Sequence, residues 1–592
     1  MKPSVADAAR WGIDEGYHDV FGNWHAVSKD TIEHLVTVLG HGRDIDAISS
    51  QAIVEIGPPP EPNPAFQGDG SRVWGLAVQL YALKSRRNWG HGDFGDLRRL
   101  IEIVATRGAA AIGLNPLHAL FPERPEQASP YGPNSRLFLN ILYIDVTAIP
   151  EFAGLDAEEE REAARLRDLP FLDYGAVAAL KLEALKRAHK AFRTKAAAER
   201  RVDFDAFRAE QGEALLRFAC FEVLRAQHSP ELWPNWPAPW HNPDSAALRG
   251  YRAAHDVACG FVEFCQWIAD RQLAACQQAA RTLGMKIGLY TDLAVGIDRH
   301  GADAWSDQGA VLAELSIGAP PDEFNPAGQD WGLAPFHPVA MADNDFAPLR
   351  RLMRATMRHA GAVRIDHVLG FKRLYLMPVG AGATEGAYVN YPFEASLRVV
   401  AEESRKAHCI VIGEDLGTVP AGFRDTMMRW GLWTYRVLLF ERQNDGQFAA
   451  PQTYPEQALA TFNTHDLPTF RGWITGHDLR TKHDIAVDPG ETAEARTWWQ
   501  GALRRLLGDH GGGRSTEDFA AIAQVLAATP SRLVMVGLDD VLGVIDQVNI
   551  PGTVGEHPNW RRKLPLDLED LESDQALAAV ANVFAGAGRA SR

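Results

Sequence analysis

Eight short apolar runs, each closing on a polar cluster and parted from the next by helical or loop sequence, constrain this chain more than any other feature. They are VWGLAVQLYAL from Val73, AAAIGLNPL from Ala109, MKIGLYTDLAV from Met285, AVRIDHVLGF from Ala362, CIVIGEDLG from Cys409, TYRVLLFE from Thr434, ALATFNTHD from Ala458 and RLVMVGLDD from Arg532. Several are continuous rather than alternating, as expected of parallel strands covered on both faces. Eight of them predict an α/β fold, a (β/α)8 TIM barrel. In such a barrel the C-terminal strand ends and the loops after them form the active face, which sends Asp292, Asp366, Glu414 and Asp466 to one mouth.

The remaining sequence hangs on that frame. Residues 1–64 read as a helical N-terminal extension, with DTIEHLVTVLG amphipathic, closing in the proline-rich GPPPEPNP. Residues 65–592 read as the catalytic barrel, with helical insertions at about 150–280 and 478–530 rich in Ala, Glu, Lys, Arg and Leu.

Charge narrows the partners. Sixty Lys and Arg against 76 Asp and Glu leave a net charge of −16, a field that repels phosphate backbones and anionic headgroups. Neither nucleic acid nor a membrane surface is an expected partner, and no apolar run has the length of a membrane span. The five cysteines, Cys220, Cys259, Cys265, Cys276 and Cys409, show no CxxC and sit in apolar contexts, so they read as buried free thiols of a cytoplasmic protein. The histidines form no HExxH and no zinc spacing, and no metal or cofactor is implied; His118, His255 and His359 read as helix or loop residues. WGHGDFG holds a G-x-G-x-x-G, but Asp93 and Phe94 fill its middle and no ribose-binding acid follows.

Chemistry concentrates in three carboxylates that each follow an apolar strand: Asp366 in AVRIDHV, Glu414 in IVIGEDLG and Asp466 in FNTHDLP. Any one of them alone suits a helix cap. Three in succession, with Arg364 and His465 beside two of them, suit glycoside cleavage, which needs a carboxylate nucleophile or base, a protonated carboxyl acid, and negative charge facing an oxocarbenium-like state. Arg364 stands two residues before Asp366 and shares its face of the strand, where a cation favours a nucleophilic carboxylate. Crowding by other carboxylates raises Glu414 toward an acid's role. Water and a second sugar are both open as acceptors for such a trio, and a silent glucan-binding protein is a third reading.

VRIDH, IGEDLG and NTHD, in that order, resemble the motifs of the 4-α-glucanotransferases, or amylomaltases, of glycoside hydrolase family 77. WGLAVQLYALKSRRNWGHGDFGDL, SPYGPNSRLFLNILYIDV, KIGLYTDLAVG, GAPPDEFNPAGQDWGL, GAYVNYPFE and NIPGTVGEHPNWRRKL extend the resemblance from Val73 to Leu564. It implies Asp366 as nucleophile, Glu414 as general acid and base, and Asp466 as transition-state stabiliser. It further implies that Arg364 and His465 are partners of that trio, that Tyr131 lies under the sugar whose bond breaks, and that Asp292 shapes the same subsite. Asp322, Phe324 and Trp331 would line the acceptor side, and the substrates implied are α-1,4-glucans and maltooligosaccharides, with glucose as an acceptor. Indole faces stack well on glucose rings, which adds Trp89, Trp331 and Trp560, all in loop-like sequence, as binding candidates.

Overall fold

The computed structural model describes residues 5–18, 22–41, 43, 61–124, 126–321 and 328–591. All eight apolar runs become strands of one closed parallel barrel: β1 (Val73–Val78), β2 (Ala111–Leu114), β3 (Gly288–Leu293), β4 (Ala362–Ile365), β5 (Ile410–Gly413), β6 (Trp433–Val437), β7 (Ala458–Thr461) and β8 (Leu533–Gly537). Each pairs with its neighbour in chain order, and β8 returns to β1, with Leu533 opposite Val73. Nearly every strand residue is buried, which explains why the runs are apolar without alternation.

The interior is filled unevenly. A Cβ on Gly75 would stand 2.6 Å from the Met535 sulfur, and one on Gly113 would stand 3.0 Å from both Met535 and Tyr290. Glycine on β1 and β2 thus makes room for large side chains from β3 and β8, and Tyr290 and Tyr435 fill the space below the mouth.

Helices cover most crossovers. Phe94–Ala105 follows β1, held at its start by a capping box between Asp93 and Asp96. Between β2 and β3 run the helices Ala157–Asp168, Tyr174–Lys195, Ala198–His228, Ser245–Ala254 and Asp256–Thr282, and the last packs on Phe94–Ala105. Before β8 come His477–Asp484, Ala493–His510 and Phe519–Ala527. The β6–β7 connection departs from the ideal pattern, carrying only the 3-10 turns Leu438–Phe440 and Pro451–Thr453.

A five-stranded antiparallel sheet was not legible in the sequence. Its strands, in spatial order, are Ala387–Asn390, Arg373–Pro378, Leu315–Ala319, Gln329–Ala334 and Ile297–Asp298, drawn from the connections after β3 and β4. The lead-in packs on it. Helix Lys29–Leu39, capped by Ser28, buries Ile32, Leu35, Val36 and Leu39 with Leu376 and Val389, and Ile13 bridges to Val389. The lead-in also forms a small antiparallel pair, Gly16–His18 with Trp24–Ala26. Residues 44–60, which hold the first half of the proline-rich stretch, lie outside the described residues.

All five cysteines are free and buried. Among the described residues no helix is long and apolar enough to cross a membrane.

Candidate active site

The barrel register assembles the site. Arg364 lies directly opposite Asp292 on β3, and Ile365 lies opposite Gly413 on β5, so the next residues, Asp366 and Glu414, emerge side by side at the C-terminal rim. The backbone N–H of Asp366 donates to Leu293 O at 3.0 Å, and that of Glu414 donates to Ile365 O at 3.0 Å.

Arg364 is the hub. Its Nη1 donates to both oxygens of Asp292 at 2.9 Å, and its Nη2 forms an ion pair with Asp366 Oδ1 at 2.8 Å. Burial works against this cation, but Asp292 and Asp366 outweigh it and hold it firmly charged. The Tyr435 ring lies below, 5.7 Å from the guanidinium carbon. The other oxygen of Asp366, Oδ2, has no hydrogen-bond partner among the described residues.

Glu414 is served by backbone alone. Oε2 accepts from His367 N at 2.9 Å and Oε1 from Leu416 N at 2.8 Å. Burial pushes its carboxyl up to about 7; Arg364 opposes the rise and Asp366 adds to it. His367 takes a left-handed conformation with φ +48°, which turns its N–H onto Glu414. Burial holds its own imidazole down at about 4, and the ring stands edge-on to Trp331 with centroids 5.2 Å apart.

Asp466 comes from the loop after β7. Asn549 Nδ2 donates to its Oδ1 at 2.6 Å, and His465 Nε2 stands 3.3 Å from its Oδ2. Burial alone would raise this carboxyl, yet His465 and Asn549 hold it below its ordinary value, and the carboxylate in turn lifts His465. Gln547 fixes the loop by donating to Asp466 O at 2.7 Å.

Tyr131 joins the two halves. Its hydroxyl donates to Asp292 Oδ2 at 2.6 Å and stands 3.2 Å from His465 Nδ1, while its ring stacks on His465 with centroids 4.6 Å apart. Burial, then the Asp292 charge, pushes the phenol well above its usual range and keeps it a donor. An unbroken chain of contacts therefore runs from Asp466 through His465, Tyr131, Asp292, Arg364 and Asp366 to the His367 N–H that holds Glu414. Tyr131, Asp292, Arg364 and His465 also line the cavity at the barrel mouth, with Asn115, Tyr290 and Asp539.

Seven of the residues singled out in the sequence thus meet in one network: Asp366, Glu414, Asp466, Tyr131, Asp292, Arg364 and His465. Trp331 joins them through His367, but from the strand Gln329–Ala334 rather than from a loop. Asp322 and Phe324 lie outside the described residues. Trp89 is no sugar platform: it is 5% exposed and packs against Phe152. Trp560 is equally covered and sits against Tyr131 and His465, a wall of the site rather than a free stacking face. Sequence reasoning missed His367, although it follows Asp366 in VRIDH, and Asn549, although it opens NIPGTVGEH. Among the described residues no group of three or more His, Cys, Asp or Glu side chains could hold a metal ion.

The 4-alpha-glucanotransferase family model of glycoside hydrolase family 77 matches residues 78–568. The chain is 38% identical over 552 residues to the 4-alpha-glucanotransferase of Mycobacterium tuberculosis, covering 88% of this chain and 75% of that protein. It is 37% identical over 554 residues to the Haemophilus influenzae 4-alpha-glucanotransferase, covering 87% and 79%. The crystal structure of the Corynebacterium glutamicum amylomaltase superposes with a TM-score of 0.83 at 27% identity over 98% of both chains. The amylomaltase from Streptococcus agalactiae in complex with acarbose shares the fold, with a TM-score of 0.73 at 18% identity over 88% of this chain and 100% of that one.

Proposed function

The chain belongs to the 4-alpha-glucanotransferases of glycoside hydrolase family 77 and transfers glucan segments; from that premise we propose how its own residues carry the transfer. Asp366 is the nucleophile. Arg364 occupies Oδ1, which leaves Oδ2 to attack the anomeric carbon of an α-1,4-linked donor. As the glycosidic bond breaks, Glu414 gives its proton to the departing 4-oxygen, and a covalent glucosyl-enzyme forms on Asp366. Glu414, now ionised, takes the proton of an acceptor's 4-hydroxyl, which attacks the same carbon and releases Asp366, so the α-configuration is retained.

Asp466 is held anionic by His465 and Asn549, which suits it to oppose the positive charge that develops on the sugar. Tyr131 and Asp292 shape the subsite of the sugar undergoing reaction. Trp331 serves the acceptor side, and the family resemblance gives Asp322 and Phe324 the same role. Maltooligosaccharides serve as donors and acceptors, glucose serves as an acceptor, and the reaction belongs to maltodextrin and glycogen metabolism. Five free, buried thiols fit a reducing compartment, and we locate the enzyme in the cytoplasm.

The observation that carries this reading is the unequal treatment of the carboxylates. Asp366 and Asp466 have charged partners, whereas Glu414 has backbone N–H groups alone and is raised to about 7. Incubation with maltotriose alone tests it. Glucose should appear with maltopentaose and longer chains while total reducing ends stay constant. A steady rise in reducing ends would make water the acceptor, and turnover surviving in Asp366→Asn would remove the nucleophile assignment.

A further inference from the structure

A second cavity lies on the outer side of β3, with about 700 Å³ of atom-free space counting its opening. Thr291 and Asp292 of β3 both line it, and Asp292 lines the cavity at the barrel mouth as well, so the two spaces meet at β3 beside the site described above. The opposite walls come from the strand Ser135–Leu139 and from the helices Ala198–His228, Asp256–Thr282 and Ala347–Met357. Leu137, Phe138 and Phe207 make it largely apolar.

Its charges do not balance. At one end Asp270 is fully engaged, taking Arg358 Nε at 3.0 Å, His359 Nε2 at 2.8 Å and Arg271 Nη1 at 2.5 Å. At the other end stands Arg136, 5% exposed. Its Nη1 donates to Ala294 O at 3.0 Å and Val295 O at 2.9 Å. Its Nε is sealed and unpartnered, and Nη2 has no partner among the described residues but is not sealed. No carboxylate of the described residues forms an ion pair with it. Asp303, whose charge acts on it without forming an ion pair, spends its oxygens on Ser135 Oγ at 2.5 Å and on Arg136's own backbone N at 2.8 Å. The Phe336 ring, 4.9 Å away, is the remaining support. Burial lowers the guanidinium to about 10, and the Asp303 charge opposes the fall. A buried cation without a direct ion pair is costly, and Nη2, the donor that is neither bonded nor sealed, is the one open to a carboxylate or phosphate oxygen.

We propose that this cavity binds a small organic anion, with its anionic oxygens on Arg136 and its body against Leu137, Phe138 and Phe207, and that occupancy alters turnover. The route to the active site is three residues long. Arg136 holds Ala294 O, His118 in the same cavity wall accepts Ala294 N at 3.3 Å, and the preceding Leu293 O accepts the N–H of Asp366. A ligand that draws the guanidinium toward the cavity shifts the backbone on which the nucleophile rests.

Isothermal calorimetry tests binding without reference to the transfer reaction, with glucose 6-phosphate and hexanoate as phosphate and carboxylate probes, and with inorganic phosphate and glucose as controls. At least one organic anion should bind the full chain, and glucose should not bind through this cavity. Ala355→Phe, which fills the cavity from the helix Ala347–Met357, and Arg136→Gln should each weaken binding at least tenfold. If Arg136→Gln fails to fold, Ala355→Phe carries the test. The saturating anion should change maltotriose turnover at least twofold in the parent and leave Ala355→Phe unmoved. Absence of binding, equal binding to Ala355→Phe, or inorganic phosphate binding as well as its ester, an adventitious ion only, would each overturn the site. Binding with unchanged turnover would overturn its link to Asp366.

Discussion

Replacing Glu414 with glutamine should abolish transfer and also change how stability depends on pH. The folded carboxyl titrates near 7 against an ordinary 4.5, because burial outweighs Arg364 and the two backbone donors. Between those values the folded chain keeps a proton that the unfolded chain releases. Stability of the parent therefore falls as pH rises through the window from 4.5 to about 7, and levels off above it. The full difference corresponds to about 3 kcal/mol, at roughly 1.4 kcal/mol for each tenfold change in proton affinity. Glutamine does not titrate and escapes this loss.

Glutamine has a different, constant penalty. Both Glu414 oxygens accept a backbone N–H, and the amide nitrogen cannot accept one, so either His367 N–H or Leu416 N–H loses its partner at a cost of about 1–3 kcal/mol. That offset is independent of pH, and the slope carries the test. A chain of this length has an unfolding entropy of about 1.2 kcal/mol/K, so 3 kcal/mol corresponds to a Tm change of about 2–3 °C. Differential scanning calorimetry of parent and variant from pH 4.5 to 8.5 should show the variant gaining on the parent by that amount up to about pH 7, then holding constant. A difference that stays flat across the window would refute the raised Glu414 and with it the assignment of the acid.

Three further outcomes follow from the same contacts. The kcat/KM for maltotriose should fall tenfold per pH unit above about 7, since Glu414 must begin protonated, and a profile flat to pH 9 would contradict this. Asn549→Ala removes the 2.6 Å bond that helps hold Asp466 anionic; a charge-assisted bond of about 1.5–3 kcal/mol predicts a fall in kcat/KM of roughly 10- to 150-fold, read by steady-state kinetics. Trp331→Ala should raise KM for acceptor glucose several-fold while Trp89→Phe leaves it unchanged, because Trp89 is buried under Phe152.

The barrel was legible because its strands are buried on both faces, so their apolar runs needed no alternation to be recognised, and because each run ends in polar residues that only a mouth can use. Arg364 and Asp366 were legible together for the same reason: two residues apart on a strand, they share a face. The antiparallel sheet was not, since its strands are short and lie in glycine- and proline-rich sequence, with a register shift between Asp330 and Leu333. Nor was Asn549, which reaches Asp466 from a loop far along the chain that no local period connects to it. His367 was hidden differently: its role depends on a positive φ that histidine seldom adopts, and a sequence does not display backbone angles.

The three carboxylates of the mouth carry the same chemical group, and their neighbours alone divide the work. Asp366 receives a guanidinium on one oxygen, which fixes which oxygen is free to attack. Asp466 receives an imidazole and an amide, and stays anionic in spite of burial. Glu414 is left with N–H groups whose bonds favour its anion less than burial disfavours it, and it is raised toward neutrality. A cation placed on Glu414 instead of Asp366 would lower the acid and leave both oxygens of Asp366 equally free. Register prevents it: Arg364 stands opposite Asp292 on one side and Ile412 on the other, so its side chain, turned inward between β3 and its own strand, meets Asp292 and Asp366 first. The division of acid and nucleophile is therefore fixed by the pairing of β3, β4 and β5.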